Sequence, residues 1–476
     1  MGGYTARKNG HGTGQRDFRE GRRIKSQPLN SDGEPFREEN TYRKVALRLL
    51  PLLVVCYIVA YLDRVNIGFA KLQMLADLGF SDTVYAFGAS IFFWGYVLFE
   101  VPSNLVLHRV GARIWIARIL VSWGIASAAI MFTAQIASAI GTSNDMVFYV
   151  LRFLLGVCEA GFFPGIVLYL TYWFPADRQT KALGLFVIAL PLSLVIGGPV
   201  SGGLLHVTNG IMGLNGWQWM LLLEALPAVL LGGVVFLWLD DRPDKARWLT
   251  GAERDLVVSQ LSVENVHKQH YVRDALKDFR VWTMMGVVFT YNTGFYGLSF
   301  WLPTILRDAG VADTFTIGLL TAIPYACGGV VMVLNSRHAS RTREYRYHGV
   351  VPAVLGGLSL IASAYFAHNI PVSMVFLTIS ACGIMGLMPI VWSYPGRVLS
   401  DTAAAAGIGL INSVGSLSGI TGAMISGLAL SMTGSVNNGT YVLGLSLLVS
   451  AGLIFLVSSR RTSVQTRSAL IPATPV

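Results

Sequence analysis

YLDRVNIGFA, residues 61–70, places two opposite charges side by side inside a long apolar run. The run opens near Val45 and continues to Phe69, long enough to cross a hydrocarbon core, which takes about 20 residues. Asp63 and Arg64 lie several residues from either end of it. A charge at such depth is costly on every transfer scale. What the two charges meet decides whether this segment is scaffold or site.

The surrounding chain is built for lipid. Only 13% of its 476 residues are charged and 53% are hydrophobic, whereas soluble domains carry about 25% charged residues. Counting the first, twelve stretches reach spanning length: 45–69, 84–107, 113–137, 145–173, 180–206, 217–239, 280–304, 314–336, 349–367, 371–395, 404–431 and 437–459. The longest interruption, 240–279, is charged and divides them six and six. Within it Thr250 and Glu253 have the spacing of a capping box, which predicts a short surface helix starting there. Small-residue segments in span five (IGGPVSG) and span eleven (GITGAMISG) hint at a two-fold repeat with close helix packing. These patterns predict an all-α membrane protein with about twelve transmembrane helices in two pseudo-symmetric six-helix bundles, residues 45–239 and 280–459. A central loop, 240–279, joins them, and tails 1–44 and 460–476 flank them, the first polar, basic and disordered.

Net charge is +10, and the basic residues are unevenly placed. They fill the N-terminal tail, the 2–3 gap (Arg109, Arg113, Arg118), the 4–5 gap, the central loop, the 8–9 gap (Arg337, Arg341, Arg343, Arg346) and the end of span twelve. The alternate gaps hold little beyond Lys71 and Arg307. The positive-inside rule then puts both termini and the central loop in the cytoplasm of a multi-pass inner-membrane protein. The N-terminal stretch lacks the apolar core and cleavage site of a secretory signal. No basic face on a soluble fold is present to suggest nucleic acid. Cys56, Cys158, Cys327 and Cys382 lie in apolar segments without metal-ligand spacing, so no metal is expected.

Charges recur within the first six spans. With odd spans running outward, Asp63, Arg64 and Arg152 all lie about 10 Å below the outer surface, at 1.5 Å per helical residue. Glu159 follows Arg152 by close to two turns, on the same face and about 10 Å deeper. Ion bridges could merely fix helix packing. Intramembrane ionisable residues usually line pathways, however, and packing could use Ser or Asn more cheaply. Two acids in unlike surroundings suit a proton relay, and two arginines suit capture of a carboxylate. The last six spans offer polar and aromatic groups instead: Tyr291, Asn292, Tyr296, Trp301, Trp392, Ser393, Tyr394, Asn412 and Ser413, with Arg397 near the end of span ten. Asn412 stands out, because a buried amide needs partners. Arg397 reads as an interface anchor more than as a second carboxylate clamp. Glu100, facing the Arg113 loop, reads as a gate or packing latch, and Glu224 as a group that could bond within the first bundle.

Several blocks identify a resemblance. YLDRVNIGFA, FEVPSN followed by RVGAR, RFLLGVCEAGFFPG, YLTYWFPADR, DRPDKARWLT, TGFYGLSFWLPTI and AAAAGIGLINS together resemble the anion:cation symporter family of the major facilitator superfamily, over about residues 41–460. This group includes phthalate, tartrate, glucarate and galactonate permeases. The resemblance implies alternating access, with protons carried by Asp63 and Glu159 and the substrate carboxylate bound by Arg64 and Arg152. It further implies substrate contacts from Tyr61, Tyr96 and Asn412, and latch roles for the loops bearing Arg109, Arg113 and Arg341. The chain departs from the pattern at His108, where an acid usually precedes the arginine, and in RHASRTREYR, where Ser340 and Arg343 replace Asp and Gly.

The expected function is proton-coupled import of a small organic carboxylate, by a functional monomer in the lipid bilayer, with protons as coupling ion and no other cofactor. Asn292 and Trp392 join the substrate-binding set and Glu100 the gating set. An exporter of acids or drugs, or a sensor that binds without moving its ligand, would use the same fold. Absence of HExxH, GxSxG and Walker patterns argues against an enzyme. Which carboxylate is carried, the sequence leaves open.

Overall fold

The computed structural model describes residues 38–264, 279–393 and 401–469. Among these residues twelve long helices follow one another: α1 Glu38–Leu78, α2 Asp82–Val110, α3 Ala112–Ile140, α4 Asn144–Thr171, α5 Lys181–Val207, α6 Gly216–Trp238, α7 Phe279–Asp308, α8 Thr314–Thr342, α9 Arg346–Tyr365, α10 Ile370–Ser393, α11 Asp401–Thr433 and α12 Val436–Ala469. The short helix Gly251–Glu264 lies between α6 and α7. Thr250 and Glu253 cap it reciprocally, as their spacing predicts, with bonds of 2.8 and 3.3 Å.

Among the described residues, eleven of these helices are apolar enough and long enough to cross a membrane. The exception is α7, whose middle, TYNTGFYGLSF, is polar and aromatic. Its 30 residues are long enough, and most are buried in protein rather than turned to lipid. Helix α1 begins at Glu38, inside the stretch expected to be a disordered tail to residue 44. Its first turns are tied down. Glu38 pairs with Arg178 at 3.0 Å, Lys44 with Glu253 at 2.7 Å, and the Tyr42 hydroxyl donates to Gln260 at 2.8 Å.

Helix neighbours repeat between the halves. Contacts α1–α5, α1–α6, α2–α4, α3–α4 and α3–α6 recur as α7–α11, α7–α12, α8–α10, α9–α10 and α9–α12. Between the halves, α2 packs on α11, α5 on α8 and α1 on α7. The α5–α8 crossing is made by glycines. A Cβ on Gly198 would stand 2.5 Å from the Gly318 carbonyl oxygen, so the backbones touch directly.

At the end opposite the central loop the halves close on one another. The Tyr85 hydroxyl donates to the Phe300 carbonyl at 3.3 Å, and Arg307 to the Leu72 carbonyl at 2.5 Å. Lys71 is buried over the Trp301 ring at 3.8 Å while pairing with Asp82 at 2.8 Å. His206 of α5 meets Asp313 before α8 at 3.1 Å.

Candidate functional site

A cavity lies between the halves. Helix α1 lines it with Tyr57, Tyr61 and Arg64, and α2 with Phe93 and Tyr96. From the other half come Asn292, Phe295 and Tyr296 of α7, Trp392 of α10 and Asn412 of α11. The residues predicted at Tyr61, Arg64, Tyr96, Asn292, Trp392 and Asn412 thus line one cavity, three from each half. Among the described residues Arg64 is the one charged side chain lining the cavity.

Local sequence explains how Glu159 reaches this arginine. Gly156 of α4 packs against the α2 backbone, where an added Cβ would lie 3.0 Å from the Tyr96 amide nitrogen. One turn later the first segment of α4 ends at Glu159, and the chain passes through Gly161 at φ 84°, a left-handed conformation that glycine adopts without strain. Glu159, 1% exposed, accepts from the Arg64 guanidinium in a buried ion pair. Its second oxygen has no partner with hydrogen-bond geometry among the described residues. The Arg64 guanidinium carbon sits 5.4 Å from the Tyr61 ring centre, 5.1 Å from Tyr96 and 5.5 Å from Phe92. Three aromatic faces favour the cation there. By helical rise Glu159 lies about 10 Å below Arg64, and the long arginine side chain reaches down to it.

The other two charges stand off the cavity. Arg152 is 1% exposed, donates from Nε to the Gly88 carbonyl at 3.2 Å, and lies 5.1 Å from the Phe92 ring. Phe92 is therefore shared by both guanidiniums, and the expected convergence of Arg64 and Arg152 on one open space is not what the structure shows. Asp63 is 1% exposed and turned toward α3. It accepts from Trp123 Nε1 at 2.7 Å, Ser127 Oγ at 2.5 Å and Asn66 Nδ2 at 3.2 Å. Adjacent helical residues point about 100° apart, so one of the pair Asp63–Arg64 had to leave the cavity.

Glu100 was read as facing the Arg113 loop; it faces the other half instead. Asn412 Nδ2 donates to Glu100 Oε1 at 2.7 Å, and Glu100 Oε2 is buried without a partner among the described residues. This bond crosses between the halves on the central-loop side of Arg64. Asn292 donates to the Gly415 carbonyl at 3.3 Å, linking α7 to α11. The Arg113 amide donates to Asp241 at 2.9 Å, and its guanidinium covers Phe236 at 4.8 Å, both within the first half. Arg109 and Arg341 are exposed. Arg343 ends α8 at φ 55°, in the left-handed region. Tyr394 and Arg397 lie outside the described residues. Sequence reasoning missed Phe92, Tyr57, Trp123 and Ser127. An indole N–H in an apolar helix needs an acceptor, and that need was the available signal for Trp123.

The family model described as Major Facilitator Superfamily matches residues 53–423. A putative tartrate transporter of Agrobacterium vitis is 46% identical, over 91% of this chain and 94% of its own length. The putative metabolite transport protein NicT of Pseudomonas putida is 42% identical, over 88% of this chain and 94% of its own. Among solved structures, a bacterial homolog of the human lysosomal transporter Spinster, in an inward-facing and occupied conformation, superposes with a TM-score of 0.69 at 14% identity. That match covers 88% of this chain and 97% of the other.

Proposed function

This chain belongs to the Major Facilitator Superfamily, and from that premise we propose that it imports a small organic carboxylate together with protons across the inner membrane. The observation that carries the reading is the Arg64–Glu159 pair at the cavity wall. The relative named a tartrate transporter supports an organic anion as cargo. It is a carrier and not an enzyme, working as a monomer in the bilayer.

The buried pair links the two cargoes. A substrate carboxylate entering the cavity competes with Glu159 for the guanidinium, which binds planar anions through paired N–H donors. A displaced Glu159 would be an unpaired carboxylate in an apolar surround, so it takes a proton. Anion and proton then load together. Arg152, behind the Phe92 ring, adds positive potential to the same site. Asp63 is the second coupling acid, held by three donors.

Tyr61, Tyr96 and Trp392 wall the substrate, and Asn292 and Asn412 read its polar groups. A substrate that takes the Asn412 amide removes it from Glu100 and loosens the bar on the central-loop side. Positive loops put that side, and both termini, in the cytoplasm. Lys71 and Trp301 close the opposite end, so this conformation is shut toward the outside. Arg109, Arg113 and Arg341 serve the cytoplasmic latch when the cycle reverses.

The test is proton uptake on binding. Purified protein in weakly buffered detergent, mixed singly with phthalate, tartrate or galactonate, should take up protons with the acid it binds. Glu159→Gln should bind with markedly less uptake. Binding with no proton uptake by the wild type would overturn the coupling.

A further inference from the structure

The second half meets the cavity with three neutral polar side chains: Asn292 of α7, and Asn412 and Ser416 of α11. Each already spends a donor elsewhere. Asn292 Nδ2 donates to the Gly415 carbonyl at 3.3 Å. Asn412 Nδ2 donates to Glu100 Oε1 at 2.7 Å, and the Ser416 hydroxyl to the Asn412 carbonyl at 3.2 Å. Backbone carbonyls and carboxylates only accept, so these bonds decide which atom of each side chain is the committed one. What remains for a ligand is mostly acceptor: two amide oxygens and the lone pairs of a hydroxyl. Such a wall calls for hydrogen-bond donors on the ligand.

The charges divide in the same way. On the first half, Arg64 lines the cavity and offers a carboxylate its guanidinium. Facing it across the cavity, Asn412 is backed by an acid. Glu100 is 4% exposed, and its Oε2 has no partner among the described residues. A ligand carboxylate on the remaining Asn412 N–H would put two anions on one amide nitrogen, about 5 Å apart by hydrogen-bond geometry. Like charges at that separation repel strongly where water is excluded. A hydroxyl meets no such repulsion and can donate to the amide oxygen. Arg152 does not offset the repulsion, being 1% exposed and packed against Phe92.

We propose that the cargo is a hydroxylated monocarboxylate, with its carboxylate on Arg64 and its hydroxyls against Asn292, Asn412 and Ser416, and that Glu100 discriminates against diacids. The proposal deepens the carboxylate reading above and rests on it. A second carboxylate on the cargo would lie against the acid-backed wall, whereas a hydroxyl there satisfies it.

Isothermal titration calorimetry on the purified full chain in detergent at pH 7 compares acids of one skeleton: galactonate with galactarate, and 4-hydroxybenzoate with terephthalate. Each pair exchanges a hydroxyl-bearing end for a second carboxylate. In at least one pair the hydroxy acid should bind tenfold or more tightly than its diacid. Glu100→Gln keeps an acceptor for Asn412 and removes the charge, so that ratio should fall several-fold through a gain in diacid affinity. A diacid that binds as tightly as its hydroxy partner, or more tightly, overturns the proposal and leaves the carboxylate reading standing. A ratio left unchanged by Glu100→Gln also overturns it. Binding of none of the four acids strikes the carboxylate reading itself, and the proposal with it.

Discussion

Arg64 is held by one carboxylate and three aromatic faces, and its behaviour under substitution follows from that setting. Removing one partner of a buried ion pair leaves an uncompensated charge and costs roughly 3–5 kcal/mol. Arg64→Ala should therefore lower the thermal midpoint in detergent strongly. Adding Glu159→Gln should recover much of the loss, because the orphaned charge is gone. Equal midpoints for Arg64→Ala and the double variant would show that the pair does not hold as described. Asp63 makes a parallel case. Trp123→Phe removes one of three donors to a buried carboxylate, at a cost of about 1–3 kcal/mol, measurable as a lower melting midpoint. At this scale the sequence made the buried charges conspicuous and hid what they touch. Asp63 and Arg64 are conspicuous because charges in apolar runs are rare. Which faces the cavity depends on how α1 is rotated against α3 and α4, and that rotation is decided by packing. Gly156 against α2, and the Trp123 indole reaching for an acceptor, only acquire meaning once the helices are side by side.

Helices move as units, and the contacts at their ends decide how. Lys71 bridges α1 to α7 by lying over Trp301 while paired to Asp82. A desolvated cation–π contact is worth about 2 kcal/mol. Lys71→Ala should shift the population toward the state open at that end, by roughly tenfold for each 1.4 kcal/mol lost. Labelling rates of single cysteines placed on α1 and α8 would report it; unchanged rates would mean that Lys71 is no latch. On the facing loop, Arg343 occupies the left-handed position that ends helices at glycine. Arg343→Gly should stabilise the α8–α9 connection by about 1 kcal/mol, seen as slower amide exchange there. The sequence exposed this site through the departure of RHASRTREYR from its family pattern. The helix ends were legible where caps were, as at Thr250 and Glu253. The start of α1 was not, since Glu38 and Lys44 are held by partners more than a hundred residues away.

Across the whole molecule, two similar halves meet around a cavity, closed at the end away from the central loop. The twelve spans and the charged break between them could be marked from the sequence. The closed end could not, because it depends on Gly198 meeting Gly318 and on Tyr85 reaching Phe300. Helix α7 shows the limit of composition: its polar middle fails an apolarity test because it faces the cavity and its neighbours. In the proposed cycle one arginine–carboxylate exchange couples anion to proton. The most direct measurement is uptake of labelled phthalate, tartrate and galactonate into proteoliposomes under an imposed pH gradient, for wild type, Arg64→Ala and Glu159→Gln. Wild type should show gradient-driven accumulation of at least one acid, Arg64→Ala none, and Glu159→Gln exchange without gradient dependence. Accumulation by both variants at the wild-type rate and gradient dependence would contradict it.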